Sequence, residues 1–376
     1  MALSKLTKYM ALAGELEKQI VSGEFRVGDK FPSERKLVKT SGLSLLTVRQ
    51  SLMRLEKKGL IIRRQGAGSF VTSREPIAER IWVAVVVMGF GEEMTAGYQF
   101  IYSAWMHGVS RVADKAGVQL SMVDLGIFKD PRERLNEMSR QEKGPSGWLF
   151  AQVHPWMLDY LVGSESRPPM KHGIIADKLM DSRLNVATVG FAGAAAEAAA
   201  RFHALGHRRM AYIGSFGNLR HEGWMNGLRD LGIYEQNADL IVPDPEPVYT
   251  LIVAEENGYA AGKELLQRQN RPTAIFCTND SRAIGVLRAA QELGVKVPED
   301  LSVIGFDNIP GSERLKPPLA TFSPPWEDVG EAAMKLLLSW LEKGNRYKPQ
   351  TKTLKIPFIE RESLGKAVPT AAAAGK

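Results

Sequence analysis

Apolar residues near the N-terminus recur at a fixed interval: Leu12, Leu16 and Ile20 stand four positions apart, the spacing of one helical face. They predict a helix that ends near Gly23. Pro32-Ser33 opens a short second helix, with Ser33 as cap and Glu34 suited to the positive end of the helix dipole. Gly42 breaks it. Ser44 can cap a third helix whose inward stripe is Val48, Leu52 and Leu55, and Gly59 stops that one. Leu60–Arg64 and Ser69–Val71 then read as two short strands around the turn Gln65-Gly66-Ala67-Gly68. Three helices followed by a β-hairpin predict a winged helix-turn-helix over residues 1–73.

Residues 74–80 are polar, interrupted by Pro76, and read as a linker. From residue 81 the pattern changes to short apolar runs alternating with helical stretches. Strands are expected at Ile81–Met88, Val118–Val123, Gly147–Phe150, Gly173–Ile175, Met210–Ile213, Ala274–Cys277 and Leu301–Gly305. Helices are expected at Tyr102–Ala116, Ala194–Leu205, Gly223–Leu231, Glu255–Gln267, Ser281–Leu293 and Trp326–Leu341. This alternation predicts an α/β fold with parallel sheets covered on both faces. About 280 residues is large for one sheet, so residues 81–362 are expected to form two lobes with a cleft. Ala367 to Lys376 lacks an amphipathic pattern, and 363–376 reads as a disordered tail.

Charge sharpens the first module. Residues 1–75 carry 15 Lys+Arg against 7 Asp+Glu, a balance of +8, whereas the remaining 34 basic and 35 acidic residues balance at −1. A compact basic module points to a polyanion. No apolar run is long enough to span a bilayer, and the polar start shows no secretory signal. One cysteine, Cys277, excludes an internal disulfide framework and suits a cytoplasmic protein. Its apolar neighbours predict a buried, inert thiol.

In a winged helix the third helix enters the major groove with its N-terminal residues leading. Here these are Ser44, Thr47, Arg49 and Gln50: hydroxyls for phosphate or base, Arg for guanine edges, Gln for adenine edges. Arg35, Arg63 and Arg64 are expected to add phosphate or base contacts. Gly66 and Gly68 would let the wing approach the duplex closely. Gly28-Asp29-Lys30-Phe31-Pro32-Ser33-Glu34-Arg35, Ser44-Leu45-Leu46-Thr47-Val48-Arg49 and Gly66-Ala67-Gly68-Ser69-Phe70-Val71 resemble the GntR family of winged-helix regulators. The resemblance implies DNA contacts from Arg35, Thr47, Arg49 and Gly66. Leu45 departs from it, since an Arg commonly stands there; an apolar contact to a thymine methyl is expected instead.

The large module carries a second resemblance. Leu205-Gly206-His207 through Tyr212-Ile213-Gly214, Arg220-His221-Glu222-Gly223-Trp224, Thr278-Asn279-Asp280, Val303-Ile304-Gly305-Phe306-Asp307-Asn308 and Pro317-Pro318-Leu319-Ala320-Thr321-Phe322 together resemble the sensor of LacI-type repressors, which is similar to periplasmic sugar-binding proteins. The likeness is dense from Leu205 to Phe322 and thin before Ala187. A GntR-like head on a LacI-like sensor is the layout of the arabinose-repressor group. It implies ligand contacts from Arg220, Asn279 or Asp280, and Asp307. Sugar hydroxyls need convergent donors and acceptors, with aromatic faces against C–H patches. Candidate faces are Phe90, Phe100, Tyr102, Trp105, Phe150, Phe191 and Trp326, with Phe90 and Tyr102 preferred. Where that family often has an Asp, this chain has Val189-Gly190-Phe191.

The reading is a ligand-responsive regulator, a repressor by default, that binds double-stranded operator DNA and a sugar-like effector. A homodimer is expected through Tyr102–Ala116 or Ser281–Leu293. Alternatives are a purine or other non-sugar effector, an activating sign, or a winged helix that binds protein. No cofactor or metal is expected, because the six histidines lack paired ligand spacing. Gly89-Phe90-Gly91 imitates a dinucleotide fingerprint, but Met94 fills the third glycine position. No nucleophile elbow, phosphate loop or Schiff-base lysine site is recognisable, so no enzyme is expected.

Overall fold

The computed structural model describes the chain except residues 1, 65–66, 74–80, 88–95, 142–143, 152, 154, 164–169, 177–180, 244–250 and 368–376. Two compact units emerge, Met1–Ile81 and Trp82–Lys376. The expected linker at 74–80, and Gly66 and Phe90 among the candidate site residues, lie outside the described residues.

In the first unit, α1 (Ala2–Ser22), α2 (Glu34–Ser41) and α3 (Leu45–Lys57) are followed by the antiparallel hairpin of β1 (Ile61–Arg64) and β2 (Gly68–Val71). The caps are those the sequence predicts. Ser33 accepts from the Lys36 N–H, Ser44 from the Thr47 N–H, and Gly42 closes α2 with a left-handed φ of 67°. Leu12, Leu16 and Ile20 of α1 meet Val48, Leu52 and Leu55 of α3 in one core, closed by Phe31, Leu37, Leu60, Ile61 and Val71. The Ser51 hydroxyl donates to the Tyr9 carbonyl at 3.0 Å, tying α3 to α1.

The second unit has two lobes, each built on a six-stranded sheet. Lobe 1 uses β3 (Trp82–Val87), β4 (Gln119–Asp124), β5 (Gly147–Phe150), β6 (His172–Ile175), β7 (Val186–Val189) and β13 (Thr351–Leu354), all parallel in the order β13-β7-β6-β5-β3-β4. Lobe 2 uses β8 (Met210–Gly214), β9 (Ile241–Pro243), β10 (Ala274–Cys277), β11 (Ser302–Phe306), β12 (Ala320–Phe322) and β14 (Phe358–Ile359) in the order β14-β12-β11-β10-β8-β9. Only β14 there runs antiparallel to its neighbour. The seven expected strands are present, and the five unexpected ones are short. They are β7, β9, β12, β13 and β14, of which β9, β13 and β14 lie at sheet ends, where no continuous apolar run is needed.

Helices cover both sheets: α4 (Ala96–Lys115), α5 (Pro131–Arg140), α6 (Leu158–Val162), α7 (Phe191–Ala204), α8 (Leu219–Asp230), α9 (Leu251–Gln267), α10 (Asp280–Glu292) and α11 (Trp326–Lys343). In lobe 1, α4 crosses α11 where only glycine fits. A Cβ on Gly330 would stand 1.9 Å from the Trp105 carbonyl oxygen, and one on Gly108 1.9 Å from that of Glu327. In lobe 2, Gly223 of α8 meets the Ala192 backbone of α7, which accounts for the alanine run there as close packing. Cys277 is buried beneath α10, as expected.

The chain passes between lobes after β7, after β12 and after β13. The crossing strands are tied together: Gly190 N–H donates to Leu354 O at 3.0 Å, and Ser323 N–H to Pro357 O at 2.8 Å. One expectation needs correction. Residues 363–367 belong to lobe 2, not to a tail. The buried Ser363 hydroxyl donates to Val303 O at 2.7 Å and accepts from Ala320 N–H, and the Ala367 N–H donates to Leu205 O at 2.9 Å. His207 fixes the same segment, with its ring between Thr273 Oγ1 and Gly365 O. Hydrogen bonds to distant backbone hold this segment together with the packing of Leu364 on the core, and a single apolar residue leaves no hydrophobicity pattern to reveal it.

Candidate functional site

The basic unit presents most of its candidate contact residues to solvent. Arg35, Ser44, Arg49, Gln50, Arg63, Arg64 and Gly68 are all exposed, together with Leu45 and Leu46. Glu34 organises this surface: its carboxylate accepts from Arg49 Nε at 2.9 Å and from Arg63 Nη2 at 2.6 Å. The first helical residue of α2 therefore bridges α3 to the hairpin, and fixes two guanidinium groups that would otherwise sample many rotamers. Arg64 lies over the Phe70 ring at 5.4 Å. Gly68 takes φ +101°, and a Cβ there would press on the Lys30 side chain. Thr47 is less available than its sequence position suggests. It is 7% exposed, and its hydroxyl bonds that of Ser44 at 2.8 Å.

The second candidate site is a cavity of about 230 Å³ between the lobes. Lobe 1 lines it with Ile101, Tyr102 and Trp105 of α4, Ala151 after β5, and Ile175 and Ala176 at the end of β6. Lobe 2 contributes Phe191, Ser215, Asn218, Arg220, Thr278, Asn279, Arg282 and Asp307, and Trp326 opens α11. These positions lie at or beyond the carboxyl ends of parallel strands, where such sheets bind ligands.

Local chemistry holds the lobe 2 wall in place. Asn218 and Asn279 are the N-caps of α8 and α10. Each spends its Oδ1 on a backbone N–H, of His221 and Arg282 respectively, at 2.9 Å, so the Nδ2 donors remain for other partners. The Arg220 guanidinium lies against two neighbouring aromatic rings, 4.6 Å from the Phe191 centroid and 4.9 Å from that of Phe306. Its Nε, like Trp326 Nε1, is buried with no hydrogen-bond partner among the described residues. Asp307 holds φ at 102° and Asn308 at 52°, in the left-handed region that disfavours side chains. The surroundings over-determine this turn: Asp307 N–H donates to Phe322 O, Ile309 N–H to Asp280, and Arg361 Nη2 to Asn308 Oδ1. Strain held at a cavity wall is a common mark of a functional position.

The structure thus brings Tyr102, Arg220, Asn279 and Asp307 to one cavity. It corrects Asp280. That carboxyl is fully buried behind the wall, with Oδ2 accepting from Ile309 N–H at 2.8 Å and Oδ1 2.6 Å from the Thr321 hydroxyl. Both oxygens are thus spent behind the wall and Asp280 is absent from the lining, and burial pushes its pKa up to about 8. Of the aromatic candidates, Trp105, Phe191 and Trp326 also line the cavity. Phe150 is core, and Phe100 is surface outside the lining. Sequence reasoning missed Arg282 and Asn218. Both carried a signal: an N-cap residue and the one three positions later share a helix face. His221 stacks on Phe216 at 4.5 Å and is absent from the lining. α10 is buried along most of its length, so of the two proposed dimer helices only α4 retains a broad free face.

The class these features define is a basic winged helix joined, in one chain, to a two-lobed module of the periplasmic-binding-protein type. Comparison with known proteins gives the same two parts. Residues 8–71 match the model of bacterial regulatory proteins of the gntR family, and residues 199–364 match the periplasmic binding protein-like domain. Among curated proteins, the chain is similar to the HTH-type transcriptional repressor PurR of Yersinia pestis, 36% identical over 148 residues, covering 39% of this chain and 41% of the relative. The PurR of Erwinia tasmaniensis is 37% identical over 164 residues, covering 42% and 46%. The chain therefore aligns with less than half the length of these relatives. Among solved structures, a transcriptional regulator CelR–cellobiose complex superposes with a TM-score of 0.63 at 21% identity, over 89% of this chain and all of the other. A LacI family regulator from Enterococcus faecium with bound ribose gives 0.60 at 23%, over 76% of this chain and all of the other. These likenesses establish the fold. No described helix is long and apolar enough to cross a membrane, and the described residues contain no group of three metal-ligating side chains.

Proposed function

We propose that this protein is a transcription regulator whose winged helix binds operator DNA and whose inter-lobe cavity binds a small sugar or sugar derivative that controls it. The observation carrying this reading is the coexistence, in one chain, of an exposed arginine surface at the head of α3 and an enclosed wall of convergent polar groups and aromatic faces. Arg35, Arg49, Gln50, Arg63 and the wing glycines Gly66 and Gly68 contact the duplex. Leu45 supplies an apolar contact, and Ser44 and Thr47 set the start of α3. In the cavity, Arg220, Asn279 and Asp307 supply donors and acceptors, and Tyr102 an apolar face; Phe90 is a further candidate. Ligands seen in fold relatives, ribose and cellobiose, support a sugar-like effector. The cavity lies below the common range of about 300–1,000 Å³, which favours a single ring.

Repression is the default sign, supported by the repressor names of the curated relatives. Two copies of the chain, meeting through α4, read a two-fold operator, because one winged helix buries too little surface for specificity. Closing the lobes on effector would shift the three crossover strands that join them. Fluorescence anisotropy against fragments of the source genome tests the DNA reading. Nanomolar binding that weakens steeply with salt is expected. Arg49→Ala should lose about tenfold or more in DNA affinity while effector binding stays intact. Absence of duplex binding at any ionic strength would overturn the proposal.

A further inference from the structure

The outer side of α3 is not uniformly polar. Leu45, Leu46, Arg49, Gln50 and Met53 are exposed along it, whereas Val48, Leu52 and Leu55 are fully buried. Leu46 is 62% exposed and Met53 59%, and neither belongs to the core of the first unit. They stand seven positions apart, about 20° short of two full turns, so they share one line along the helix. Arg49 and Gln50 lie about 40–60° to either side of that line. The outermost ridge of the helix is therefore apolar, with a guanidinium on one flank and an amide on the other.

A single exposed apolar residue needs no explanation. Two on the leading edge of one helix do, in a stretch whose charge balance is +8 over residues 1–75. An apolar ridge set among cations does not suit a second copy of the same head, because like charges would be brought together uncompensated. It suits a polyanion that carries apolar spots between its charges. Duplex DNA has one such spot at the level of the bases: the thymine C5-methyl group, which projects into the major groove. Arg49 and Gln50 on the flanks then take hydrogen-bonding base edges beside the methyls. Cytosine in the same place would bury its N4 amino group against Leu46 or Met53 without an acceptor, which disfavours G·C pairs further.

We infer that Leu46 and Met53 read thymine methyl groups, with Leu45 at the margin of the ridge, so that the operator carries A·T pairs at the positions facing it. This rests on the reading of α3 as a groove-binding helix. Sequence discrimination is thereby shared between the polar flanks and two side chains that carry no hydrogen-bonding group.

The test uses the full chain. Tight-binding duplexes are selected from a random pool and resynthesised with deoxyuridine in place of thymidine at single positions. Each replacement removes one methyl and leaves base pairing and charge unchanged. Fluorescence anisotropy should show a loss of about fourfold at each contacted position, the expected worth of one buried methyl, and none elsewhere in the site. Leu46→Ala and Met53→Ala should each weaken binding to the thymidine duplex by about fivefold, and each should lose the deoxyuridine penalty at its own position. The salt dependence should stay that of wild type, because no phosphate contact is removed. Both side chains are exposed, so the variants should melt with wild type. Deoxyuridine duplexes that bind as tightly as thymidine duplexes at every position overturn the methyl contact and leave the DNA reading standing. A deoxyuridine penalty that persists at full size in the Leu46→Ala, Met53→Ala double variant overturns it as well. So does a double variant with wild-type duplex affinity and altered sedimentation, which would assign the ridge to contact between copies. Failure to select any duplex overturns the DNA reading itself, and the methyl contact falls with it.

Discussion

The two lobes face one cavity with different chemistry. Lobe 1 offers Ile101, Tyr102, Trp105, Ala151, Ile175 and Ala176, whereas lobe 2 offers two arginines, an aspartate, two asparagines, a serine and a threonine around Phe191. On the proposed reading, identification of a small molecule resides in lobe 2, and among its described residues lobe 1 supplies desolvation. The division has a physical logic. Convergent polar groups must be held to a fraction of an ångström, and lobe 2 holds them with helix caps, a strained turn at Asp307 and the buried Asp280. An apolar face needs only shape. Closure of an apolar lobe onto a polar one then removes water and strengthens every electrostatic contact on the other side.

The contrast extends to the interior, and the largest expected effect tests it there. Burial disfavours the charge of Asp280 in lobe 2 and pushes its pKa up to about 8, against 3.8 in a free chain. From about pH 4 to pH 8 the unfolded chain has lost a proton that the native state keeps, so stability falls as pH rises through that window. Asp280→Asn mimics the neutral acid: its amide can donate to Thr321 Oγ1 while its oxygen accepts from Ile309 N–H. Thermal melts should show the variant matching wild type near pH 4 and exceeding it by several degrees at pH 8. Parallel pH profiles would remove the structural role given to Asp280.

His172 of lobe 1 has the opposite sign. Its Nδ1 donates to Met170 O at 2.7 Å, and its Nε2 accepts from Asn185 N–H at 3.1 Å, which only the neutral ring can do. Burial lowers its pKa to about 4. Stability from this group is complete above about pH 6.5 and is lost as pH falls towards 4, to the extent of about 3 kcal/mol. His172→Gln should be less stable at pH 7 but show a flatter profile between 6.5 and 4 than wild type. A profile as steep as that of wild type would place the acid sensitivity elsewhere.

Next in size is the wall itself. Asp307→Asn keeps the side-chain size at a strained backbone position and removes one charge. Effector affinity should drop about 100-fold, near 3 kcal/mol, as expected for hydrogen bonds to a charged group. DNA affinity without effector should stay within twofold. Retained effector affinity would mean that lobe 2 does not carry recognition.

The same asymmetry decides what could be read from the sequence. The winged helix was legible almost to the residue, because caps at Ser33 and Ser44 and stripes at Leu12-Leu16-Ile20 and Val48-Leu52-Leu55 are local signals. In lobe 2, Arg220, Asn279 and Asp307 sit in short segments near strand ends, and all three line the cavity. Asp280 was misplaced because successive residues at the start of a helix point about 100° apart. Adjacency in sequence could not say which of Asn279 and Asp280 turns to the cleft. Arg282 is not singled out by the sequence reading, since its burial depends on α10 packing into the lobe. Ser363 and Gly365 were assigned to a tail because backbone hydrogen bonds to distant strands leave no periodic trace. In lobe 1, apolar lining and apolar core look alike in a sequence. Tyr102 was separated from Phe150 by position, and Trp105 was not separated at all.

The smallest effect is the one most able to break the comparison. Tyr102 is half-buried on α4, its ring 5.4 Å from Trp105 at a 60° tilt, at the cavity margin. If lobe 1 supplies only an apolar cover, Tyr102→Ala loses ring contact with the effector, about 1 kcal/mol or fivefold in Kd. Tyr102→Phe, which keeps the ring and deletes the hydroxyl, should bind like wild type. Titration calorimetry on both variants, beside Asp307→Asn, gives the ratio that matters. A loss in Tyr102→Phe as large as that in Asp307→Asn would show that lobe 1 takes part in polar recognition, and the division between a reading wall and a covering wall would fail. Trp105 cannot replace Tyr102 in this test. It is 2% exposed and its carbonyl abuts Gly330, so truncation there would unsettle the α4–α11 crossing, and a fall in affinity would report on folding instead.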